Sequence, residues 1–306
     1  GGARGIGRGC ALELARRGCD IVIVDMLRPE MERTAKTGEL VHIPMTIGAV
    51  VVAYNVPELK DLKLTPDVIA DVFRGTISRW DDARLREANP SAQLPSQPIT
   101  VVHRADGSGT SATFTAYLSK SSAAWQADIG AGTTPRFPVG LGARGNDGVT
   151  AYVKSTPYAI GYVELAYARQ AQLPIALIRN RAGNYVAPTT ASLDVAARSS
   201  LRVPMPQDLR VSIVDSPAPD AYPIAALSYL ILPKDGKERA KSEALARFVW
   251  WGLHDGQRMA EALDYAPLPT PYVLLAERVV RDLRAEGKPL NVADIATPAP
   301  RAGAGS

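Results

Sequence analysis

The chain has 306 residues, of which 46% are hydrophobic and 22% are charged. Single domains usually hold about 100 to 200 residues, so the length allows two domains, and the composition excludes a disordered or disulfide-dense protein. Lysine and arginine number 35 against 31 acidic residues, a net charge of +4, and no basic run interleaved with aromatic residues predicts nucleic-acid binding. The apolar runs are far shorter than the roughly 20 residues of a membrane-spanning helix, so no span is predicted.

Apolar runs typical of buried strands alternate with helical patterns along the chain, which predicts an α/β fold. The predicted strands are residues 21–24, 49–54, 99–102, 160–163 and 229–232. The predicted helices are residues 9–17, 66–73, 111–118, 147–154, 238–251 and 271–284. Residues 297–306 are rich in proline, glycine and alanine and are predicted to form a flexible tail.

A first glycine-rich loop opens the chain and leads through a predicted helix and strand to Asp25. Such a loop can cradle a pyrophosphate, or it can be a tight turn without a cofactor. Residues 1–35 resemble the cofactor loop of short-chain dehydrogenases. That family also uses a tyrosine with a lysine four residues later. No tyrosine of this chain is followed by lysine at that spacing, and Tyr117 has Lys120 one residue too early. An enzyme of that family is therefore not predicted.

A second glycine-rich loop, residues 103–111, lies between a predicted strand and a predicted helix. The hydroxyls of Ser108 and Thr110, the free N–H groups of a helix start and the guanidinium of Arg104 all suit a small tetrahedral oxyanion. Asp106 can orient that guanidinium or cap the helix. The alternative is a turn that only caps the helix. The lysine of a Walker phosphate loop is absent.

Seven segments in this order resemble the phosphate-binding proteins of bacterial phosphate ABC transporters, over about residues 37–284. They are residues 48–55, 77–81, 103–110, 145–149, 159–164, 220–224 and 250–257. The resemblance implies a two-lobed fold of the type II periplasmic-binding-protein class, in which phosphate binds between the lobes. Lobe one is expected at residues 1–54 plus 220–296, and lobe two, with the anion-binding loop, at residues 55–219.

The resemblance also assigns roles to single residues. The residues that match the anion ligands from lobe two are Arg104, Ser108, Gly109 and Thr110, and Asp106 matches the aspartate that braces the arginine. From lobe one, Asp25 falls near the place of a ligand aspartate. Gly7, Arg8 and Gly9 fall near a serine-bearing loop, but no serine is present there. We therefore expect the N-terminal lobe to be incomplete or spliced.

The function implied is that of a non-enzymatic receptor, which delivers inorganic phosphate to the membrane permease of an ABC importer. The resemblance places it in the periplasm or at the cell surface, although Gly1 opens on a loop without an export signal, so we expect the natural start to lie upstream. No metal or cofactor is expected. The alternative is an NAD(P)-binding dehydrogenase-like protein, or a weakly binding fusion of the two.

Two further patterns predict structural roles. Trp250 and Trp251 lie on a predicted helix with other large apolar residues, which predicts core packing. His42, His103 and His254 are too scattered along the chain to indicate a metal site.

Overall fold

The computed structural model describes residues 39–57 and 59–291. The dehydrogenase-like segment 1–35, the candidate ligands Asp25, Gly7, Arg8 and Gly9, and the predicted tail 297–306 lie outside the described residues. Within the described part, strands and helices alternate along the chain, and the predicted α/β class is confirmed.

The described residues form two compact units, which do not follow the order of the chain. The larger unit contains residues 47–204 and 212–226, and the smaller one contains residues 39–46, 205–211 and 227–291. The chain thus passes from one unit to the other four times, after Thr46, Pro204, Val211 and Ala226. The lobe boundaries expected from the resemblance, at residues 54/55 and 219/220, stay a prediction.

The strands are β1 (Leu40–Asn55), β2 (Lys63–Leu64), β3 (Thr100–Arg104), β4 (Leu141–Ala143), β5 (Ala159–Glu164), β6 (Leu177–Arg179), β7 (Tyr185–Val186), β8 (Ala225–Pro233), β9 (Asp235–Gly236), β10 (Arg284–Ala285) and β11 (Lys288–Pro289). The α-helices are α1 (Pro66–Arg74), α2 (Ala83–Ala88), α3 (Gly109–Ser121), α4 (Ala123–Asp128), α5 (Gly145–Ser155), α6 (Leu165–Gln170), α7 (Thr190–Ser200), α8 (Arg239–Leu253) and α9 (Thr270–Arg281). Two short 3-10 helices follow α8, at Asp255–Met259 and Glu261–Leu263.

The main sheet has five strands in the order β4-β3-β5-β1-β8. β3 runs parallel to both β4 and β5, and β5 runs antiparallel to β1. Residues 47–54 of β1 are all buried, as their continuous apolar run predicts for a strand covered on both faces. The strand nevertheless begins at Leu40, well before the predicted start at residue 49.

Gly161 allows β5 to lie close to both its neighbouring strand and a helix. It pairs with Val102 of β3, and a Cβ at this position would lie 3.0 Å from the Val102 carbonyl oxygen and 2.9 Å from Cγ2 of Val153 on α5. Carbon atoms do not approach that closely without displacement, so glycine is required at this close approach. β3, β5 and α5 are thereby packed closely together next to the end of β3.

The core of the larger unit contains a cluster of aromatic side chains. Phe114 of α3 stacks on Tyr162 of β5 with ring centroids 4.3 Å apart, and it meets Phe73 of α1 edge-on at 5.0 Å. Trp125 contacts Phe114, and Phe137 contacts Tyr162 and Phe73, so both rings extend the cluster. Because such rings bury large areas and pack in defined geometries, they hold α3 against β5.

The smaller unit contains α8, α9 and the three-stranded sheet β11-β10-β9. Trp250 and Trp251, which were predicted to pack in the core, are both partly buried, and Trp251 stacks on Phe248 with ring centroids 5.8 Å apart. Trp250 stacks on His254 at 4.6 Å and carries the Arg281 guanidinium over its ring at 5.0 Å. With these polar neighbours and its partial exposure, Trp250 lies at the edge of the apolar core. Over residues 39–57 and 59–291, no helix combines the length and the apolarity that crossing a membrane requires.

Candidate anion-binding site

The candidate site is the turn that connects the end of β3 to the start of α3. Ser108 is the N-cap of α3: its backbone is extended, and its Oγ accepts a hydrogen bond from the Ser111 N–H at 3.1 Å. The helix therefore starts at Gly109, two residues before the predicted start at residue 111. The N–H groups of Gly109 and Thr110 belong to the first turn, where no helical acceptor is available. A free N–H pair at the positive end of a helix favours an anion.

Arg104, the last residue of β3, is paired with Asp106 through two parallel hydrogen bonds. Nε of Arg104 lies 2.8 Å from Oδ1 of Asp106, and Nη2 lies 2.6 Å from Oδ2. Oδ1 also accepts the Gly145 N–H at 3.1 Å. These hydrogen bonds, the one from Arg104 foremost, hold the pKa of the Asp106 carboxyl far below its ordinary value. The pair is therefore fully ionised at neutral pH.

The Asp106 pair leaves part of the Arg104 guanidinium available. An arginine side chain has five N–H donors, of which two bind Asp106 and one points at Oδ1 of Asn146 from 3.5 Å. Within the described residues, one N–H on each of Nη1 and Nη2 has no protein acceptor. The side chain is only 9% exposed, so these two donors are held in place by their surroundings. Two adjacent donors match two oxygens of a phosphate or sulfate.

The hydroxyls of Ser108 and Thr110 add two further donors. Ser108 is 4% exposed, and its oxygen already accepts the Ser111 N–H, so its own hydrogen is free to donate. Oγ1 of Thr110 lies 3.4 Å from the side-chain nitrogen of Asn146, which can donate to it. The Arg104 guanidinium, the hydroxyls of Ser108 and Thr110 and the first N–H groups of α3 can therefore each present a hydrogen to a ligand, while the Asp106 carboxylate is occupied by Arg104 and Gly145. Such a set binds an acceptor-rich anion and offers little to a cation.

Two residues that support this turn were not singled out as site residues from the sequence. Asn146 contacts both Arg104 and Thr110 from the start of α5. The hydroxyl of Tyr162 lies 2.7 Å from Oγ of Ser111 and accepts the backbone N–H of Arg104 at 3.3 Å. Burial raises the pKa of the Tyr162 hydroxyl, so it stays neutral. Both residues lie in segments that carry the family resemblance, which was the only sequence signal available for them.

The structure brings five of the predicted site residues together at this turn: Arg104, Asp106, Ser108, Gly109 and Thr110. The remaining candidates, Asp25, Gly7, Arg8 and Gly9, lie outside the described residues. His103 precedes Arg104 but stacks on Phe137 with centroids 4.5 Å apart, which agrees with a structural role. The described residues contain no cluster of three His, Cys, Asp or Glu side chains that could hold a metal ion.

Comparison with known families gives a match to the PBP superfamily domain over residues 4–255. The phosphate-binding protein PstS of Pasteurella multocida is 37% identical over 252 residues, which cover 82% of this chain and 71% of that protein. The chain belongs to the PstS family. Its match to the superfamily starts at residue 4, so most of the segment that resembles a dehydrogenase loop falls inside it. The comparisons give that dehydrogenase resemblance no support.

Other PstS proteins have similar levels of identity. Those of Methanocaldococcus jannaschii and Xylella fastidiosa are 42% and 40% identical to this chain, over 249 and 230 residues. Both alignments cover 74% of this chain, and the chain spans only 64% and 63% of the length of these two relatives. Part of each relative therefore lies outside its alignment with this chain.

Solved structures support the same fold. A periplasmic phosphate-binding protein bound with phosphate superposes with a TM-score of 0.66 at 21% identity, covering 82% of this chain and 75% of that one. The phosphate-binding protein of Stenotrophomonas maltophilia gives a TM-score of 0.59 at 19% identity, with 79% and 70% coverage. At this level of identity the similarity concerns the fold alone. The predicted two-lobed periplasmic-binding-protein class is confirmed.

Proposed function

We propose that this PstS-family chain binds inorganic phosphate and serves as the solute receptor of an ABC phosphate importer. The observation that supports this most is the set of donors at the start of α3. The Arg104 guanidinium is braced by Asp106, and the hydroxyls of Ser108 and Thr110 and the first N–H groups of the helix follow it in the same turn. All of these donate, as an anion with several acceptor oxygens requires. The relatives described above are named for phosphate binding as well.

Further parts of the proposal come from the family resemblance. We propose that the chain binds without chemical turnover and without a cofactor. Its partner is the membrane permease of the importer, and it acts in the periplasm or at the cell surface. Asp25 completes the ligand set as an acceptor for a protonated phosphate oxygen, and Gly7, Arg8 and Gly9 are further candidates for the site. We further propose that lobe one consists of residues 1–54 plus 220–296 and that lobe two consists of residues 55–219.

Calorimetric titration of the purified chain with phosphate, and separately with NADP, tests the proposal. Saturable phosphate binding without NADP binding supports the receptor function. NADP binding without phosphate binding overturns it in favour of the dehydrogenase-like alternative. Phosphate affinity that reaches only the millimolar range, together with NADP binding, supports the fusion alternative instead.

A further inference from the structure

Asn146 contacts two residues of the anion-binding turn, Arg104 and Thr110. It lies in the first turn of α5, after Gly145, whose positive φ of 69° turns the chain and whose N–H binds Asp106. Oδ1 of Asn146 lies 3.5 Å from Nη1 of Arg104, and Nδ2 lies 3.4 Å from Oγ1 of Thr110. One half-buried amide thus contacts both the guanidinium and the hydroxyl that flank the start of α3.

The orientation of this amide follows from its neighbours. Oδ1 also lies 3.3 Å from the backbone N–H of Glu164. A guanidinium and a backbone N–H can only donate, so the atom that faces both of them must be the carbonyl oxygen. The NH2 group therefore faces Thr110.

The amide orientation determines what the Thr110 hydroxyl can do. When Oγ1 accepts a hydrogen from Nδ2 of Asn146, the hydrogen of Thr110 must point away from that amide. The hydroxyl is then left as a donor at the start of α3, where the N–H groups of Gly109 and Thr110 are also available. The contacts of Asn146 are long, between 3.3 and 3.5 Å, so they act by directing hydrogens rather than by strong binding.

We propose that Asn146 is a positioning residue of the anion site: it makes Thr110 a hydrogen-bond donor to the ligand and holds the Nη1 side of the Arg104 guanidinium. This inference rests on the proposed phosphate-binding function. Asn146 itself stays outside the ligand set and acts through Thr110 and Arg104. Its importance lies in its polarity, with an acceptor toward arginine and a donor toward threonine.

Substitution by aspartate can contradict the positioning role, and the Thr110→Val background then separates that role from the effect of the added charge. Asn146→Asp preserves the shape and keeps an acceptor for Arg104 and for the Glu164 N–H, so a structural role predicts that it is tolerated better than Asn146→Ala. The positioning role predicts the opposite. A carboxylate cannot donate, so the Thr110 hydroxyl turns toward it and is lost to the ligand, and a negative charge is added beside an anion.

The test is calorimetric titration of the chain with inorganic phosphate. We expect Asn146→Ala to raise the Kd about tenfold, as the loss of one directed hydrogen bond predicts, and Asn146→Asp to raise it more. In a Thr110→Val background, Asn146→Ala should raise the Kd only about threefold, because only its long contact with Arg104 is then left to lose. In the Ser108→Ala background it should retain its effect of about tenfold, because the hydrogen bonds of Asn146 go to Arg104, Thr110 and Glu164 and not to Ser108. Thermal unfolding confirms that each variant is folded.

Each outcome of this experiment decides between the hypotheses. If Asn146→Asp binds phosphate as well as Asn146→Ala or better, the positioning role is overturned. Equal effects of Asn146→Ala in the Thr110→Val and Ser108→Ala backgrounds overturn it too. If the unmodified chain binds no phosphate, the proposed function fails first, and this inference fails with it. Failure of the proposed function can be told apart from failure of the Asn146 role, because it is seen in the unmodified chain before any substitution is made.

Discussion

Arg104 and Asp106 share two short hydrogen bonds, of 2.8 and 2.6 Å, with a single residue between them in the chain. The pairing holds the guanidinium in one orientation before any ligand arrives. Little side-chain freedom then remains to be lost when an anion binds. The Gly145 N–H, at the start of α5, donates a hydrogen bond to the same carboxylate. The Arg104–Asp106 pair is therefore attached both to the end of β3 and to the start of α5. The site is preorganised around this arginine.

We expect Arg104→Ala to weaken phosphate binding at least tenfold. A charge-assisted hydrogen bond contributes about 1.5 to 3 kcal/mol, and the alanine variant loses this contact and the positive charge. Arg104→Lys should also bind weakly, because lysine keeps the charge but not the planar fork. The matched control is Arg198→Ala, which removes an arginine from an exposed ion pair with Asp194. Unchanged affinity in both Arg104 variants would exclude this turn from the site.

We expect the Asp106 carboxylate to stabilise the fold in a pH-dependent way. Its folded-state pKa is lowered, so the stabilisation is fully present above the unfolded pKa of about 4 and is lost as the pH falls through the folded pKa. Asp106→Asn should therefore lower the free energy of unfolding by about 1 kcal/mol at pH 7. The difference in the free energy of unfolding between the unmodified chain and Asp106→Asn should be smaller at pH 3. Urea denaturation at both pH values measures it, and a constant difference would contradict the assignment.

We expect Tyr162→Phe to lower the free energy of unfolding by about 1 to 2 kcal/mol, because it leaves the buried Ser111 hydroxyl and the Arg104 N–H without their shared partner. The ring itself is kept, so the stacking on Phe114 remains. Tyr152→Phe is the matched control, since that tyrosine is 48% exposed on α5 and should change the stability by less than about 0.5 kcal/mol. Equal stability of the two variants would show that the Tyr162 hydroxyl does not support the turn.

We expect Asp25→Asn to reduce the preference for phosphate over sulfate more than it reduces phosphate affinity. Phosphate carries a proton near neutral pH that a carboxylate can accept, whereas sulfate carries none and meets repulsion. Titration of both anions against the unmodified and substituted chains gives the ratio. If the ratio does not change, Asp25 has no receptor role and the dehydrogenase-like interpretation of the first loop gains support.

Several features of the site could be predicted from the sequence because they are local. A strand, a glycine-rich turn and a helix follow one another within residues 99–121, and the N-cap, the first N–H groups and the Arg104–Asp106 pair are all formed within that stretch. The boundary of α3 was missed by two residues, because the Ser108 cap extends the helix past the apolar pattern that predicted it. The remaining exposure of Trp250 and Trp251 could not be predicted, since apolar spacing does not reveal how much of a helix face is covered.

The sequence by itself determined the α/β class, the family and the donor groups of one turn, because periodicity, capping and short-range pairing depend on neighbours along the chain. Only the tertiary structure decided which distant residues support that turn. Tyr162 is brought to Arg104 by the parallel pairing of Val102 with Gly161, and Asn146 is brought there by the start of α5. Such contacts come from strand register and helix packing, and no local spacing encodes them.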